Sequence, residues 1–315
     1  MNRISGYQLR HSIKRQIQLR PYSYLLASLT PFSRPHSTTP PSQNGILRSF
    51  AHSSWFKIDD QGMADYELLV RGTGFFMRGI AHPSRLYGAV AGHVCAPFRF
   101  RHYYPHQTWL DFVEHHHTKN KLEFYMETDG VLNQTNVQRH RKASSPLRLV
   151  EVSYKHAFLH PSLDLAILEL SHAQNSLEKE LNSENVVIEP LRLDLLSQFE
   201  QDELEFLGHS LDGESGSGVE EVLIERRTGN VSYISGSRIF VKTNEISVMG
   251  MCGCPVVSRF DLNQCAGMLE GVVAQSARHP ETGEDLKDHS VVIPSEAIRE
   301  FLIQIEGKRR IHALN

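Results

Sequence analysis

The chain has few cysteines and no long apolar run. Four cysteines in 315 residues are too few for the dense disulfide framework of small secreted domains. No stretch approaches the roughly 18 uninterrupted apolar residues that a membrane helix needs. Asp and Glu are absent from the first 58 residues. These absences argue against a disulfide-stapled scaffold and a helical membrane protein, and they set the N-terminal segment apart.

Residues 1–58 combine the lack of acids with eight Lys and Arg residues and many Ser, Thr and Pro. An Arg-rich, Ser-rich, acid-free composition is typical of an organelle transit peptide, and residues 31–43 have the composition of a Pro/Ser linker. We therefore predict a transit peptide and disordered linker over 1–58. The expected location is mitochondrial, the matrix in particular, with another organelle or the cytoplasm as alternatives. A disordered basic tail is the competing interpretation of this segment.

The net charge indicates which partners to expect. Charged residues make up 22% of the chain and the formal net charge is −3. Because positive charge is concentrated in residues 1–58, the remainder is more acidic than this total. An acidic remainder is a poor match for a phosphate backbone, so we expect no nucleic-acid partner. The lack of a long apolar run predicts no membrane insertion. The oligomeric state is left open.

From about residue 60, short apolar segments alternate with turn residues. YELLVRGTGFFMRG is interrupted by glycines, which predicts a hairpin, and RLYGAVAGHVC predicts a strand that ends on His93. The polar segment NSLEKELNSEN predicts a helical or loop connector. Further strand candidates are LEFYMET, LRLVEVSYK and LDLAILEL. Many short strands at a spacing of roughly 8–12 residues predict an all-β protein of two barrels.

The last periodic segment, residues 295–306, predicts an amphipathic helix with Ser295 as its N-cap. Four apolar residues share one face of this helix: Ile298, Phe301, Leu302 and Ile305. The predicted helix closes the second barrel, and residues 307–315 would form a tail.

Two of the four cysteines lie one residue apart in GMCGCP, residues 250–255. A metal loop, a disulfide and a nucleophile are the available explanations. The C-x-C spacing is shorter than the usual zinc knuckle and no second pair matches it, which argues against zinc. A Cys252–Cys254 disulfide would be strained, except as an oxidised off-state. A nucleophile on a tight turn needs flanking glycines, because backbone N–H groups must point at the reacting group.

GMCGCP resembles the G-x-S-G-G-P turn of the chymotrypsin/trypsin-like peptidase family, with Cys252 in place of the nucleophilic serine. Two further motifs precede it in the family's order. VAGHV at 90–94 is similar to the T-A-A-H turn, and DLAIL at 164–168 is similar to the D-[IL]-A-[LIV]-L strand. Three more segments also match: GTGFF at 72–76, GVVA at 271–274 and VVIPSEAI at 291–298. The resemblance covers about residues 60–306, and its strength lies in the order of the motifs.

The resemblance implies two six-stranded antiparallel β-barrels with a C-terminal helix. Residues 59–178 would form the N-terminal barrel with His93 and Asp164, including an insertion at about 99–146. Residues 179–306 would form the C-terminal barrel with Cys252.

The resemblance also implies roles for these residues. Cys252 would attack the scissile carbonyl as a thiolate, His93 would hold the proton and later give it to the leaving amine, and Asp164 would orient the imidazole. The N–H groups of Gly250 and Cys252 would form the oxyanion hole. No cofactor or metal is expected for this chemistry.

The resemblance further places Ile246, Gly271 and Val273 at the substrate pocket. An acid at position 246 would select Lys or Arg, so isoleucine predicts an uncharged P1 side chain. The expected partners are protein or peptide substrates.

The sequence departs from the family at two positions of the turn. Cys254 stands where the family has glycine, so it would either strain the oxyanion loop or pack inward, and Met251 replaces the acid of the digestive members. Cys95 and Cys265 are predicted to be buried thiols. The run His115–His117 is predicted to be a solvated loop, because consecutive histidines on a strand face opposite sides, and GESGSG at 213–218 is predicted to be a hairpin loop.

Two functions remain open. One is an endopeptidase with a Cys252–His93–Asp164 triad. The other is a catalytically inactive homologue that binds peptides or proteins in the same groove, with Cys252 a small buried residue and Asp164 an acid that merely starts a strand.

Overall fold

The computed structural model describes residues 3–4, 45–59, 62–125, 141–142, 146–194, 203–212, 221–273, 277–279 and 282–314. Strands account for 48% and helices for 21% of the structure, which confirms the all-β prediction. Residues 5–44, the greater part of the predicted transit peptide, and the predicted hairpin loop 213–218 lie outside the described residues.

The N-terminal half forms an antiparallel sheet of seven strands that curves into a half-barrel. In spatial order its strands are β8 (Arg148–Ser153), β6 (Thr118–Phe124), β3 (Ser49–Phe56), β4 (Glu67–Arg78), β5 (Leu86–Ala91), β10 (Leu165–Glu169) and β9 (Ala157–Leu159). This half is consistent with the first of the two predicted barrels, although it has seven strands and forms a half-barrel. Among the described strands, β8 and β9 do not pair with each other.

The C-terminal half closes into a six-stranded antiparallel barrel, as predicted. Its strands follow the spatial order β16 (Pro255–Ser258), β13 (Glu203–Asp212), β14 (Glu221–Ser235), β15 (Arg238–Thr243), β18 (Ser290–Pro294) and β17 (Gln264–Val273), and β17 pairs back with β16. Closure removes the exposed sheet edges. Short strands add to its rim: β1 (Arg3–Ile4) and β12 (Arg192–Leu193) pair with β17, and β7 (Arg141–Lys142) pairs with β14.

In the part of the chain that the structure describes, three α-helices and one small sheet complete the fold. They are α1 (Gly92–Cys95), α2 (Gln174–Ser183), α3 (Ser295–Leu314) and the parallel pair of β2 (Gly45–Leu47) with β11 (Val186–Ile188). The predicted apolar face of α3 is buried against residues of both halves, among them Phe75 and Leu207. No helix within the described residues is long and apolar enough to cross a membrane.

Three local predictions are wrong. Within the predicted hairpin 66–79, residues Glu67–Arg78 form the single long strand β4. Its Gly74 marks no turn but lies where any side chain would clash with the ring of Phe50. The folded part begins near residue 45 rather than 59, since β3 is a central strand. Ser295 begins helix α3, and its hydroxyl donates a hydrogen bond to the carbonyl of Asp194. Helix α3 also extends beyond residue 306, to Leu314.

An aromatic cluster fills the interior of the N-terminal sheet. Phe76 is fully buried, and its ring lies 4.9 Å from that of Phe50 and 5.7 Å from that of Phe124, between ring centroids. Removing one of these rings would leave a cavity that neighbouring strands cannot fill.

We expect Phe76→Ala to lower the free energy of unfolding by about 3–5 kcal/mol, through lost burial and the residual cavity. Phe260, whose side chain is 82% exposed, provides the matched control, and Phe260→Ala should stay within about 0.5 kcal/mol. Urea unfolding followed by circular dichroism measures both. Equal effects of the two substitutions would contradict the assigned core.

Candidate active site

His93 lies on the one-turn helix α1, directly after β5 ends at Ala91. The predicted strand ending on His93 is thus two residues too long, because the chain coils into a helical turn there. The side chain of His93 is 1% exposed, and Tyr104 donates a hydrogen bond of 3.0 Å from its hydroxyl to the His93 carbonyl. The turn therefore fixes the imidazole beneath the protein surface.

Asp164 reaches His93 because of strand register. β10 pairs antiparallel with β5, with Leu165 opposite Ala91, so the residue before β10 meets the residues after β5. The Asp164 carboxylate accepts two hydrogen bonds of 2.6 Å, one from the backbone N–H of His93 and one from the ring Nδ1 of His93. The carboxylate is 4% exposed. This pairing fixes the orientation of the ring and makes Nδ1 the protonated nitrogen.

Cys252 lies on the turn between β15 and β16, flanked by two glycines with left-handed backbone angles. The φ angle of Gly250 is +94° and that of Gly253 is +92°, a region that favours glycine. A side chain at Gly253 would also clash with the carbonyl oxygen of Thr73. Cys252 itself is partly exposed. The glycines thus allow a tight turn that presents its sulfur.

Some backbone N–H groups of this turn donate hydrogen bonds within the protein and others do not. The N–H groups of Met251, Gly253 and Cys254 donate to the carbonyls of Val248, Leu269 and Met251, respectively. Within the described part of the chain, the N–H groups of Gly250 and Cys252 donate to no acceptor. Both are therefore available to a ligand oxygen, as the sequence analysis expects for an oxyanion hole.

Thr73, on β4 of the N-terminal sheet, holds this turn from the opposite barrel. Its hydroxyl donates to the Gly250 carbonyl at 2.9 Å and accepts from the N–H of His209 at 2.9 Å. Its own N–H donates to the carbonyl of Cys252 at 2.9 Å. These three bonds connect the His93–Asp164 sheet to the Cys252 turn. The sequence does not predict this role of Thr73, because the motif GTGFF does not mark its threonine.

We expect Thr73→Val to lower the free energy of unfolding by about 1–3 kcal/mol, because it leaves two buried backbone groups without a partner. The rate of Cys252 alkylation by iodoacetamide should change in parallel, since the turn is released. Thr73→Ser retains the hydroxyl and is the control. If valine and serine behave alike in both measurements, the hydroxyl does not hold the turn.

The charges of His93 and Asp164 stabilise each other. Burial opposes a charge on His93, but the Asp164 carboxylate and the neighbouring Cys252 side chain outweigh it and raise the pKa of His93 to about 10. Burial likewise opposes the charge on Asp164, but the imidazolium and the hydrogen bonds from His93 hold the pKa of Asp164 below its ordinary value. The imidazolium form therefore persists beside Cys252 at neutral pH.

The predicted insertion at about 99–146 contributes a cover over His93. The ring of Tyr103 stacks on the imidazole with centroids 4.4 Å apart and an interplanar angle of 16°. The neighbouring histidine run, His115–His117, forms a mostly exposed 3₁₀ turn. The sequence predicts an insertion here but does not identify Tyr103, because no motif marks which aromatic residue folds back onto the site.

A cleft of about 420 Å³ lies between the two halves. Its lining includes His93, Gly250 and Cys252, together with the predicted pocket residues Ile246, Gly271 and Val273. Asp164 lies behind His93, so the structure brings all seven sequence-predicted residues to one place. Ile246 is 39% exposed and lies on the cleft wall.

The remaining cysteines lie in the interior. Cys254 is fully buried in the core of the C-terminal barrel, so it packs inward. Cys95 and Cys265 are buried free thiols, as predicted, and all four cysteines are unpaired. Burial raises the pKa of Cys95 and of Cys265 to about 12. In the described ranges, no group of three or more His, Cys, Asp or Glu side chains is arranged to hold a metal ion.

The chain matches no family model and no curated protein. The chemistry of the site must therefore be argued from its own geometry. The relevant facts are a buried acid–imidazole pair, an adjacent cysteine on a glycine turn, two unused backbone donors and a cleft that contains them.

Proposed function

We propose that this chain is an endopeptidase that cleaves peptide bonds through a Cys252–His93–Asp164 triad. The observation that carries the proposal is the buried His93–Asp164 pair next to the partly exposed Cys252 in one cleft. The two-barrel fold and the resemblance to chymotrypsin/trypsin-like peptidases support it. A cysteine, imidazole and carboxylate in this arrangement are suited to acyl transfer.

The reaction proceeds in two balanced steps. The Cys252 thiolate attacks the scissile carbonyl carbon, the C–N bond breaks, and Nε2 of the His93 imidazolium gives its proton to the leaving amine. A thioester to Cys252 and neutral His93 remain. His93 then takes a proton from water as the water oxygen attacks the thioester, which releases the acid and restores the thiolate–imidazolium pair.

Two backbone groups would stabilise the negative oxygen of each tetrahedral intermediate. In the described structure, the N–H groups of Gly250 and Cys252 donate to no other acceptor. Thr73 fixes the turn to which they belong. Preorganised donors of this kind are typically among the largest contributions to acyl-transfer catalysis.

The edge of β17 supports an extended substrate. Next to the cleft, Val272 and Val273 pair on one side with the short parallel strand β1. This edge of β17 thus accepts an extended strand, and a substrate bound there by strand addition would take the place of β1. Protein or peptide substrates fit such an edge better than small molecules do.

A binding protein without catalysis is the second candidate, and one observation favours it. Tyr103 covers the His93 ring, which is 1% exposed. In that case the cleft would hold a peptide on the β17 edge without cleaving it. Cleavage of a peptide library by the intact chain, together with the alkylation experiment below, separates the two functions.

The proposed location is the mitochondrial matrix, where reducing conditions would keep Cys252 as a thiol. The acid-free composition of the N-terminal segment supports it. Because residues from 45 onward are part of the fold, the targeting function would lie within residues 1–44. Imaging of a fluorescent protein fused behind residues 1–44 tests this, and a diffuse cytoplasmic signal would argue against it.

Site-resolved alkylation of the full chain tests the nucleophile. The reduced protein is treated with iodoacetamide between pH 5 and 9, and each cysteine is quantified by mass spectrometry, with buried Cys95, Cys254 and Cys265 as internal references. Cys252 should react fastest near neutral pH and lose that advantage in His93→Ala. If Cys252 reacts no faster than Cys254, or its rate does not depend on His93, the peptidase proposal fails.

A further inference from the structure

Two contacts hold the start of the insertion against the helical turn that carries His93. The ring of Phe100 packs at Gly92, where any side chain would clash with it. Tyr104 donates a hydrogen bond of 3.0 Å from its hydroxyl to the His93 carbonyl. Tyr103 lies between these two anchors, at the end of a 3₁₀ turn. Its place over the imidazole is therefore fixed on both sides along the chain.

The ring of Tyr103 covers one face of the imidazole. The two rings are nearly parallel, at 16°, and their centroids lie 4.4 Å apart. His93 is charged at neutral pH, because the attraction of Asp164 outweighs the cost of burial. An aromatic face within about 6 Å of a cation attracts it, most strongly where water is excluded. The stack therefore favours the imidazolium over the neutral ring.

The hydroxyl of Tyr103 acts on the other member of the pair. Burial raises the pKa of Tyr103 above its ordinary value, so the hydroxyl keeps its proton and is a donor. It hydrogen-bonds to the Asp164 carboxylate, which also accepts the two bonds from His93. A hydrogen bond to a carboxylate favours its ionised form. One side chain thus supports the cation with its ring and the anion with its hydroxyl.

The stack leaves the reacting edge of the imidazole free. Nδ1 of His93 bonds to Asp164, and the Cys252 side chain hydrogen-bonds to the same ring, so Cys252 meets Nε2. Hydrogen bonds to ring nitrogens lie near the plane of the ring, whereas Tyr103 lies against its face. Proton transfer at Nε2 therefore does not require Tyr103 to move, which favours a supporting role over obstruction.

Three further titratable side chains act electrostatically on the imidazole of His93: His52 on β3, His102 in the insertion and Glu270 on β17. Burial lowers the pKa of His52 to about 4 and also lowers that of His102, so both are neutral at neutral pH. Glu270 forms an ion pair with Arg238. These neighbours therefore add no unpaired positive charge that would compete with the imidazolium.

We propose that Tyr103 is a positioning residue of this site: its ring stabilises the His93 imidazolium, and its hydroxyl orients the Asp164 carboxylate. The inference deepens the proposed peptidase function and rests on it. The ring favours the state in which Cys252 is a thiolate and His93 holds the proton that the leaving amine receives. The hydroxyl keeps the carboxylate aligned with Nδ1.

A titration of the imidazole tests the role of the ring without relying on cleavage. The full chain with Cys252→Ala is compared with the same chain that also carries Tyr103→Leu or Tyr103→Phe, and the His93 ring signals are followed by NMR between pH 6 and 11. Tyr103→Leu should lower the pKa of His93 by about one pH unit, because it removes a buried cation–π contact. Tyr103→Phe keeps the ring and should change this pKa by less than about 0.3. Tyr154→Leu, at a tyrosine that is 38% exposed, should leave it unchanged.

Equal pKa values of His93 in the leucine and phenylalanine variants would overturn the inference. A lowered pKa in Tyr103→Leu alone, with no peptide cleavage by any form of the chain, would support the role of the ring and overturn the peptidase proposal.

Cleavage by chains with Cys252 intact distinguishes support from obstruction. Tyr103→Phe should lower kcat about threefold to tenfold, the value of one hydrogen bond, with little change in KM. Tyr103→Leu should lower kcat further, by at least about tenfold. Tyr154→Leu should cleave like the wild type. A Tyr103 variant that cleaves faster than the wild type would show that the side chain obstructs the site, which would overturn the inference and leave the peptidase proposal standing.

Discussion

Cys252→Ala should reduce peptide cleavage by at least about a thousandfold, to the level of the buffer blank. The substitution removes the only atom that can form the thioester, whereas His93, Asp164 and the turn donors stay in place. Because Cys252 is partly exposed on a turn rather than packed in a core, its loss should hardly change the melting temperature. Initial rates with the best peptide, together with thermal unfolding, measure the two effects.

The matched control is Cys265→Ala, which removes a sulfur from the interior of β17. This variant should lose stability through the small cavity it creates but keep most of its cleavage rate. If Cys252→Ala cleaves as well as the wild type, the bond is broken by another group and the triad is misassigned. If both variants lose activity equally, the effect is one of folding rather than chemistry.

Asp164→Asn should lower kcat/KM by about 10³–10⁴, because an amide cannot hold the imidazole in the tautomer that a carboxylate selects. The two hydrogen bonds that Asp164 accepts from His93, each 2.6 Å, show how much orientation depends on this one side chain. The measurement is kcat/KM across a pH series, with Asp111→Asn as control. Asp111 forms an exposed ion pair with Arg101, and its loss should not change the rate.

The same variant should change how stability depends on pH. The pKa of His93 is raised from 6.5 to about 10, so its stabilising effect is complete below pH 6.5 and is lost as pH rises through about 10. The pKa of Asp164 is lowered, so its stabilising effect is present above about pH 3.9 and is lost on further acidification.

The melting-temperature gap between wild type and Asp164→Asn should therefore be widest near pH 4–6.5. It should narrow toward pH 10. A gap that stays constant across this range would contradict the charged pair.

The sequence predicted the all-β fold class, and its motifs named residues that the structure brings to one cleft. The motifs around His93, Asp164 and Cys252 are local, and the β5–β10 register then brings the first two together. The apolar face of α3 was also predicted, because the helical spacing of its apolar residues indicates which face is buried. The strand β3 was missed, since the acid-free composition of residues 1–58 concealed the strand pattern of SFAHSSWF.

The missed features depend on contacts that are distant in sequence. β4 was predicted to be a hairpin because its glycines suggested a turn. Gly74 instead leaves room for the ring of Phe50, which comes from another strand. Tyr103 has no local signature, and its position follows from an insertion folding back onto His93. Such residues become visible only once tertiary structure is known.

The hydrogen bond between Thr73 and Gly250 joins residues 177 positions apart. A contact of such high sequence separation is slow to form, because a long loop must close before the bond exists. In a nascent or half-folded chain, His93 therefore belongs to one sheet and Cys252 to the other, and the two side chains are not yet held together. Cys252 should then become reactive only after the two halves have folded together, and the onset of its reactivity would report the last step of folding.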